Sequence, residues 1–359
     1  MPLSKNARAR LRDWLVTGRP PRPADPAEAE GLVGAAREQG LLGLLDEAVE
    51  ADAWPAGVRK ALREAHHALL LRGVRQLDLM ARVHALFLAR GLRVLPLKGA
   101  ALAETLYGSV GERPMADVDV LALDDWTASV RALADAGFVE SGRADHAWGF
   151  TDPVTGEALE LHHSVCSPSG FFPRDALGLW ARSHPGQGQV PRLPSVEDLL
   201  VQLSLHAAFQ HGLVLSLVQH LDLRRVLERT PPDPDRLLEV ASRSRSLAAL
   251  AVSLEAAAAV VGAPVAASLR ERLAAVIPRR LAGWLRQRLS EPSSFVAPAR
   301  AEIARLRWHL ALGRRMELVR RTILTPLPGT AEPVLRRVLH AAARALTLIR
   351  RWGLGALRS

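Results

Sequence analysis

Cysteine is almost missing from this chain. Its 359 residues include one, Cys166, which excludes an internal disulfide and fits a reducing, cytoplasmic setting. Lysine is nearly as scarce: Lys5, Lys60 and Lys98 are the only three among 47 basic residues. No stretch reaches the roughly 20 apolar residues of a membrane-spanning helix. Residues 250–267 come nearest, but Glu255 interrupts them and alanine is their commonest residue. The opening Met1-Pro2-Leu3-Ser4-Lys5 carries no signal-type apolar run. These absences give the expectation of a cytoplasmic protein without a transmembrane segment. The last ninety residues lack both lysine and aspartate. They hold nineteen arginines against five glutamates, a balance of +14, while the whole chain carries +10 and the remainder therefore −4. Such a basic stretch suits an anionic partner, although the bias of arginine over lysine throughout points to GC-rich coding.

What is present is ordinary globular composition, 48% hydrophobic and 23% charged, with length enough for two or three compact units. Helical periodicity fills residues 1–18, 27–51 and 56–90, around the proline-rich break Arg19-Pro20-Pro21-Arg22-Pro23. Short strands alternate with helices from Arg93 to His163. Residues 167–194 are irregular and read as a cover loop. Ser195 with Asp198 opens a helix in the manner of a capping box, and helical pattern follows almost to Ser359. The last helix, from Val334 to about Trp352, is amphipathic and basic, and is compatible with peripheral contact. We expect three segments: a helical lead-in over 1–90, an α/β core over 91–185 and a helical domain over 186–359 ending in that basic helix.

Residues 94–123 carry the chemistry. Val94-Leu95-Pro96-Leu97 reads as a strand, Lys98-Gly99 as a tight turn into a helix, and Asp117-Val118-Asp119-Val120-Leu121 as a second strand. Free backbone N–H groups at a helix start favour an anion, and Lys98 adds a point charge for phosphate. Arg113, just before the second strand, can add another. Asp117 and Asp119 share one strand face while Val118 and Val120 face the core. In Ala158-Leu159-Glu160-Leu161-His162 the same alternation puts Glu160 and His162 on one face. Three carboxylates so placed suit two Mg²⁺ ions about 3.5–4 Å apart. The bland alternatives are a solvated acidic pair and a Lys98 ion pair with Glu104 or Glu112. His162 lies on the cleft face and His163 points away. His206 and His211 stand five apart, which on an α-helix is not a same-face metal pair; structural hydrogen bonding is the expectation for these histidines. No zinc set includes Cys166, and no nucleophile elbow supports a triad around Ser164.

Lys98-Gly99-Ala100, Tyr107, Arg113-Pro114-Met115-Ala116-Asp117-Val118-Asp119-Val120-Leu121 and Glu160-Leu161-His162 resemble the bacterial uncharacterised nucleotidyltransferase family, of the DNA polymerase β-like superfamily. The match runs over about 90–165, with echoes in Leu205-His206-Ala207-Ala208-Phe209-Gln210-His211-Gly212 and Asp222-Leu223. The resemblance implies an α+β fold: a small mixed sheet flanked by N-terminal helices and a mostly helical C-terminal domain. It implies Asp117 and Asp119 as paired metal ligands, Glu160 as the third carboxylate, and Gly99 at the phosphate turn. The expected activity is Mg²⁺-dependent transfer of an NMP group from an NTP to a hydroxyl or phosphate of an acceptor, a small molecule or peptide of a biosynthetic pathway. Asp117, Asp119 and Glu160 are then catalytic, with Lys98, Gly99 and Arg113 gripping the nucleotide. Ala100 stands where the superfamily often has a serine. That departure motivates an alternative, a catalytically silent nucleotide- or partner-binding member; the basic C-terminal stretch motivates another, an RNA- or membrane-surface-associated helical protein.

Overall fold

The computed structural model describes residues 2–296, apart from 51, 168, 170, 171, 174, 187 and 189. The expected basic helix from Val334 lies outside the described residues, as does most of the arginine-rich stretch. Four helices come first: α1 (Pro2–Thr17), α2 (Pro26–Glu38), α3 (Leu42–Ala48) and α4 (Ala56–Leu88). Asp25 caps α2 by accepting from the Glu28 amide, and Pro26 supplies a preset first helical residue. The periodicity over 27–51 predicts one helix, and two form. The chain turns at Gly40, which holds φ +70°, and a Cβ there would collide with Val218. Only glycine meets both demands cheaply.

The mixed unit follows: β1 (Val94–Pro96), α5 (Lys98–Leu106), a 3₁₀ turn (Val110–Glu112), β2 (Val118–Ala122), α6 (Trp126–Asp135), β3 (Val139–Arg143), β4 (Ala147–Thr151) and β5 (Ala158–His162). Sheet order is β1-β2-β5-β4-β3. Only β2 and β5 run parallel; the other pairs are antiparallel. All of β2 is buried, which suits its valine-rich, near-continuous apolar run. Val118, Val120, Leu159 and Leu161 enter the main core, which also takes Met80, Val83 and Phe87 of α4. On the other sheet face Leu95 and Leu121 join Leu179 in a small second cluster.

Beyond the sheet come α7 (Ala176–Arg182), a two-stranded hairpin (β6, His184–Pro185; β7, Arg192–Leu193), α8 (Val196–Leu205), a π turn (His206–Gln210), α9 (Leu217–Arg229), α10 (Pro234–Arg243), α11 (Leu247–Val261), α12 (Ala267–Ala274) and α13 (Arg279–Leu289). Ser195 caps α8, accepting from the Asp198 amide and donating to its carboxylate, as the sequence suggests. The architecture is α+β, a small mixed sheet flanked by N-terminal helices and a largely helical C-terminal region. No described helix is long and apolar enough to cross a membrane.

Candidate active site

The parallel pairing of β2 with β5 sets Asp119 opposite Glu160. His162 lies two residues further along β5, on the same face. Its Nε2 is 2.8 Å from Asp119 Oδ1 and 3.3 Å from Glu160 Oε2. Its Nδ1 lies 3.3 Å from the Ser164 carbonyl oxygen. Lys98, the first residue of α5, reaches Asp119 Oδ1 at 2.9 Å. This lysine holds φ +46°, a conformation that a residue with a Cβ adopts only at a cost. Neither Glu104 nor Glu112 is its ion-pair partner: Glu104 accepts from the Val190 amide and Glu112 from the Gly108 amide. Asp117 precedes β2, half-buried, at the mouth of the same cleft.

The charges here are strongly coupled. Burial raises the Asp117 carboxyl to about 6, and the neighbouring Asp119 and Glu160 add to the rise. Burial works the same way on Asp119, but Lys98 and His162 outweigh it and hold that carboxyl well below its usual range. The hydrogen bond from His162 lowers Glu160. His162 is fully buried, which opposes its charge, yet the bonds to Asp119 and Glu160 keep its pKa above that of a free imidazole.

Lys98, Asp117 and Asp119 line a cleft of about 450 Å³ whose far wall is helical, with Glu160 and His162 behind Asp119 and outside its lining. Lys98, Gly99, Asp117 and Asp119 form one side. Arg37 and Glu38 of α2, His206 of the π turn, His211 just after it, and Gln219 of α9 face them. Gly99 packs so closely on Met115 that a Cβ would lie 2.8 Å from that side chain. Arg113 reaches the cleft wall, but its guanidinium is fully engaged. Nε and Nη2 hold both oxygens of Asp222 at 2.8–3.1 Å, and Nη1 donates to the Pro114 carbonyl. Tyr107 donates to the same Asp222 at 2.6 Å.

Two features go beyond the structural hydrogen bonding expected of the histidines. First, His162 is a full partner of the carboxylate cluster: ligand atoms of Asp119, Glu160 and His162 all lie within 4.8 Å of one another. Its strand parity was the only available signal. Second, His206 and His211 do share a face. Their Nε2 atoms are 2.9 Å apart, because the chain widens to π geometry over His206–Gln210, where residues five apart stack. The α-helical period that separates them does not hold there. Burial, with the Lys98 charge, depresses His206 well below its usual range and keeps it neutral. His163 points away from the cleft, against Trp126. Asp46, Glu47 and His66 form another group able to hold a metal, between α3 and α4 and outside the cleft lining.

The cluster fits a divalent cation. Burial, with Asp119 and Glu160 nearby, raises Asp117 to about 6, which a cation in the cleft would relieve, and Lys98, one of the two cations on Asp119, sits on a long side chain able to move aside. Oxygen donors from Asp and Glu suit Mg²⁺. The model of one protein family, described as uncharacterised nucleotidyltransferase, matches residues 25–283. No curated protein and no solved structure matches the chain.

Proposed function

The chain belongs to the uncharacterised nucleotidyltransferase family, within the polymerase β-like superfamily, and on that premise we propose that it transfers an NMP group from an NTP to a hydroxyl or phosphate of an acceptor. The acceptor is a small molecule or a peptide of a biosynthetic pathway, and the setting is the cytoplasm. The observation that carries the reading is the β2–β5 register, which sets Glu160 opposite Asp119, a residue that lines one cleft with Asp117, Lys98 and Gly99. Asp117, Asp119 and Glu160 would hold divalent metal, Mg²⁺ in the expected case. Metal held there would supply activation of the acceptor oxygen and charge stabilisation for the departing pyrophosphate.

Lys98 and the Gly99 amide at the start of α5 bind the triphosphate. Releasing Lys98 from Asp119 is part of nucleotide entry in this reading. Arg113 contributes at one remove, by fixing Asp222 and the cleft wall. The acceptor oxygen bonds to the α-phosphorus as the bridge to the β-phosphate breaks. Its proton passes to one of the carboxylates, and the wall built from α2, the π turn and α9 selects the acceptor. Residues 91–185 serve as the nucleotide-binding core, between a lead-in over 1–90 and a helical domain over 186–359.

Asp119→Asn tests this directly. The variant is expected to fold with a lowered thermal transition, since buried His162 and Lys98 lose their counter-charge, and to lose metal-dependent pyrophosphate release by at least about 10²-fold. Turnover equal to wild type would remove the carboxylates from the chemistry. Binding of NTP with no pyrophosphate release from the wild type across a broad acceptor pool would favour the silent alternative.

A further inference from the structure

His162 is placed as a ligand is placed, not only as a hydrogen-bond partner. The two ring nitrogens have opposite surroundings. Nδ1 faces the Ser164 carbonyl at 3.3 Å, which can accept only an N–H. That carbonyl is well anchored: the Ser164 amide donates to the His146 carbonyl and its hydroxyl to the Cys166 carbonyl. With the hydrogen on Nδ1, the lone pair of Nε2 points between Asp119 Oδ1 and Glu160 Oε2. A lone pair and two carboxylate oxygens cannot share that space without a cation, either a proton or a metal.

The spacing suits the metal. Two donors about 2.1 Å from one ion at a right angle lie about 3 Å apart, and the observed separations of 2.8 and 3.3 Å bracket that value. A ligating imidazole whose other nitrogen donates to a backbone carbonyl is the usual arrangement in metalloproteins. His162 is wholly buried on a central strand, so its ring is already oriented and little ordering is needed on binding.

We propose that His162 Nε2 is a direct metal ligand beside Asp119 and Glu160, so that the site prefers Mn²⁺ and the later divalent transition metals to Mg²⁺. The proposal rests on the carboxylates holding metal at all, as in the function given above. The preference follows from donor type, since imidazole nitrogen favours these ions while Mg²⁺ gains little from it. Nothing else among the described residues supplies such a donor to this cluster.

The experiment uses the full chain freed of metal and reloaded with Mn²⁺. EPR titration counts bound Mn²⁺, and pulsed EPR detects ¹⁴N coupling from a coordinated imidazole. Wild type is expected to bind Mn²⁺ with clear ¹⁴N modulation. His162→Asn should lose that modulation and weaken Mn²⁺ about tenfold or more, with Mg²⁺ affinity changed far less. His162→Asp restores an anionic oxygen donor; it should bind Mn²⁺ without ¹⁴N coupling and move the preference back toward Mg²⁺. Bound Mn²⁺ lacking ¹⁴N modulation in the wild type would overturn the proposal and leave the proposed activity standing, whatever the variants do. Mn²⁺ binding unaffected by Asp119→Asn, or no binding at all, would instead take down the metal site itself.

Discussion

Among Asp117, Asp119 and Glu160, Asp117 is the carboxyl whose surroundings oppose its charge. Its carboxyl sits near 6, against 3.8 for a free aspartate, because of burial and then of Asp119 and Glu160. The folded state therefore binds the proton more tightly than the unfolded chain. The resulting stabilisation is complete below about pH 3.8 and is lost as pH rises through about 6. It is worth at most about 3 kcal/mol. His162, also raised, acts in the same direction; Asp119, held low, has the opposite sign but acts only in strong acid. His84, His206 and His220, all depressed, act the other way over the same range, so Asp117 is read as a difference from its own variant. Between pH 5 and 7 the metal-free wild type should lose stability relative to Asp117→Asn. Saturating divalent metal should remove that relative loss, because the ion replaces the proton. A Tm difference between the two proteins that stays constant from pH 5 to 7 would contradict this account. Alternation along β5 is enough to put Glu160 and His162 on one face, while their place beside Asp119 follows from the β2–β5 pairing. It says nothing of the charge coupling that separates Asp117 from Asp119, since that depends on depth below the surface.

At the scale of elements, the cleft is held open by one buried tie. Asp222 on α9 receives Arg113 through two nitrogens and Tyr107 through its hydroxyl, so a single carboxylate joins the helical wall to the loop that leads into β2. All three residues are buried. Asp222→Asn leaves a desolvated guanidinium without its counter-charge, which costs about 3–5 kcal/mol; urea melts of the variant should show that loss. Because Arg113 sits four residues before Asp117, metal affinity should drop as well, and retained affinity would mean the tie serves stability alone. The sequence offered Arg113 as a phosphate contact because charge and position were all it could display. Its partner lies more than a hundred residues away, beyond any local pattern. The β2 and β5 strands were legible from their two-residue alternation. The π turn was not, because periodicity assumes a regular α-helix through His206–Gln210. Nor was the close approach of Val218 on α9 that leaves no room for a Cβ at the Gly40 break.

At the scale of the whole molecule, the segments separated by composition share one interior. Ala7 and Leu11 of α1, Phe87 of α4, Val120 of β2, Phe209 of the π turn and Phe295 all belong to a single contiguous core. Polar links repeat the pattern. Arg72 and Arg75 of α4 hold Glu157 just before β5, and Arg82 holds Asp152 through two nitrogens. Arg224 of α9 donates to the Leu15 carbonyl at the far end of α1. We propose that residues 1–90 are a wall of the catalytic unit as much as a lead-in, since Arg37 and Glu38 also line the cleft. The three segments should then unfold together. Denaturant melts followed by tryptophan fluorescence and far-ultraviolet circular dichroism should coincide: Trp14 and Trp54 report on the helical lead-in, and Trp126 and Trp148 on the sheet. A fragment starting at residue 91 should bare Val83 and Phe87's partners in the sheet and fail to give a cooperative transition. Two resolved transitions, or a fragment over 91–185 that folds and binds nucleotide alone, would show instead that the sequence-level segments are independent domains.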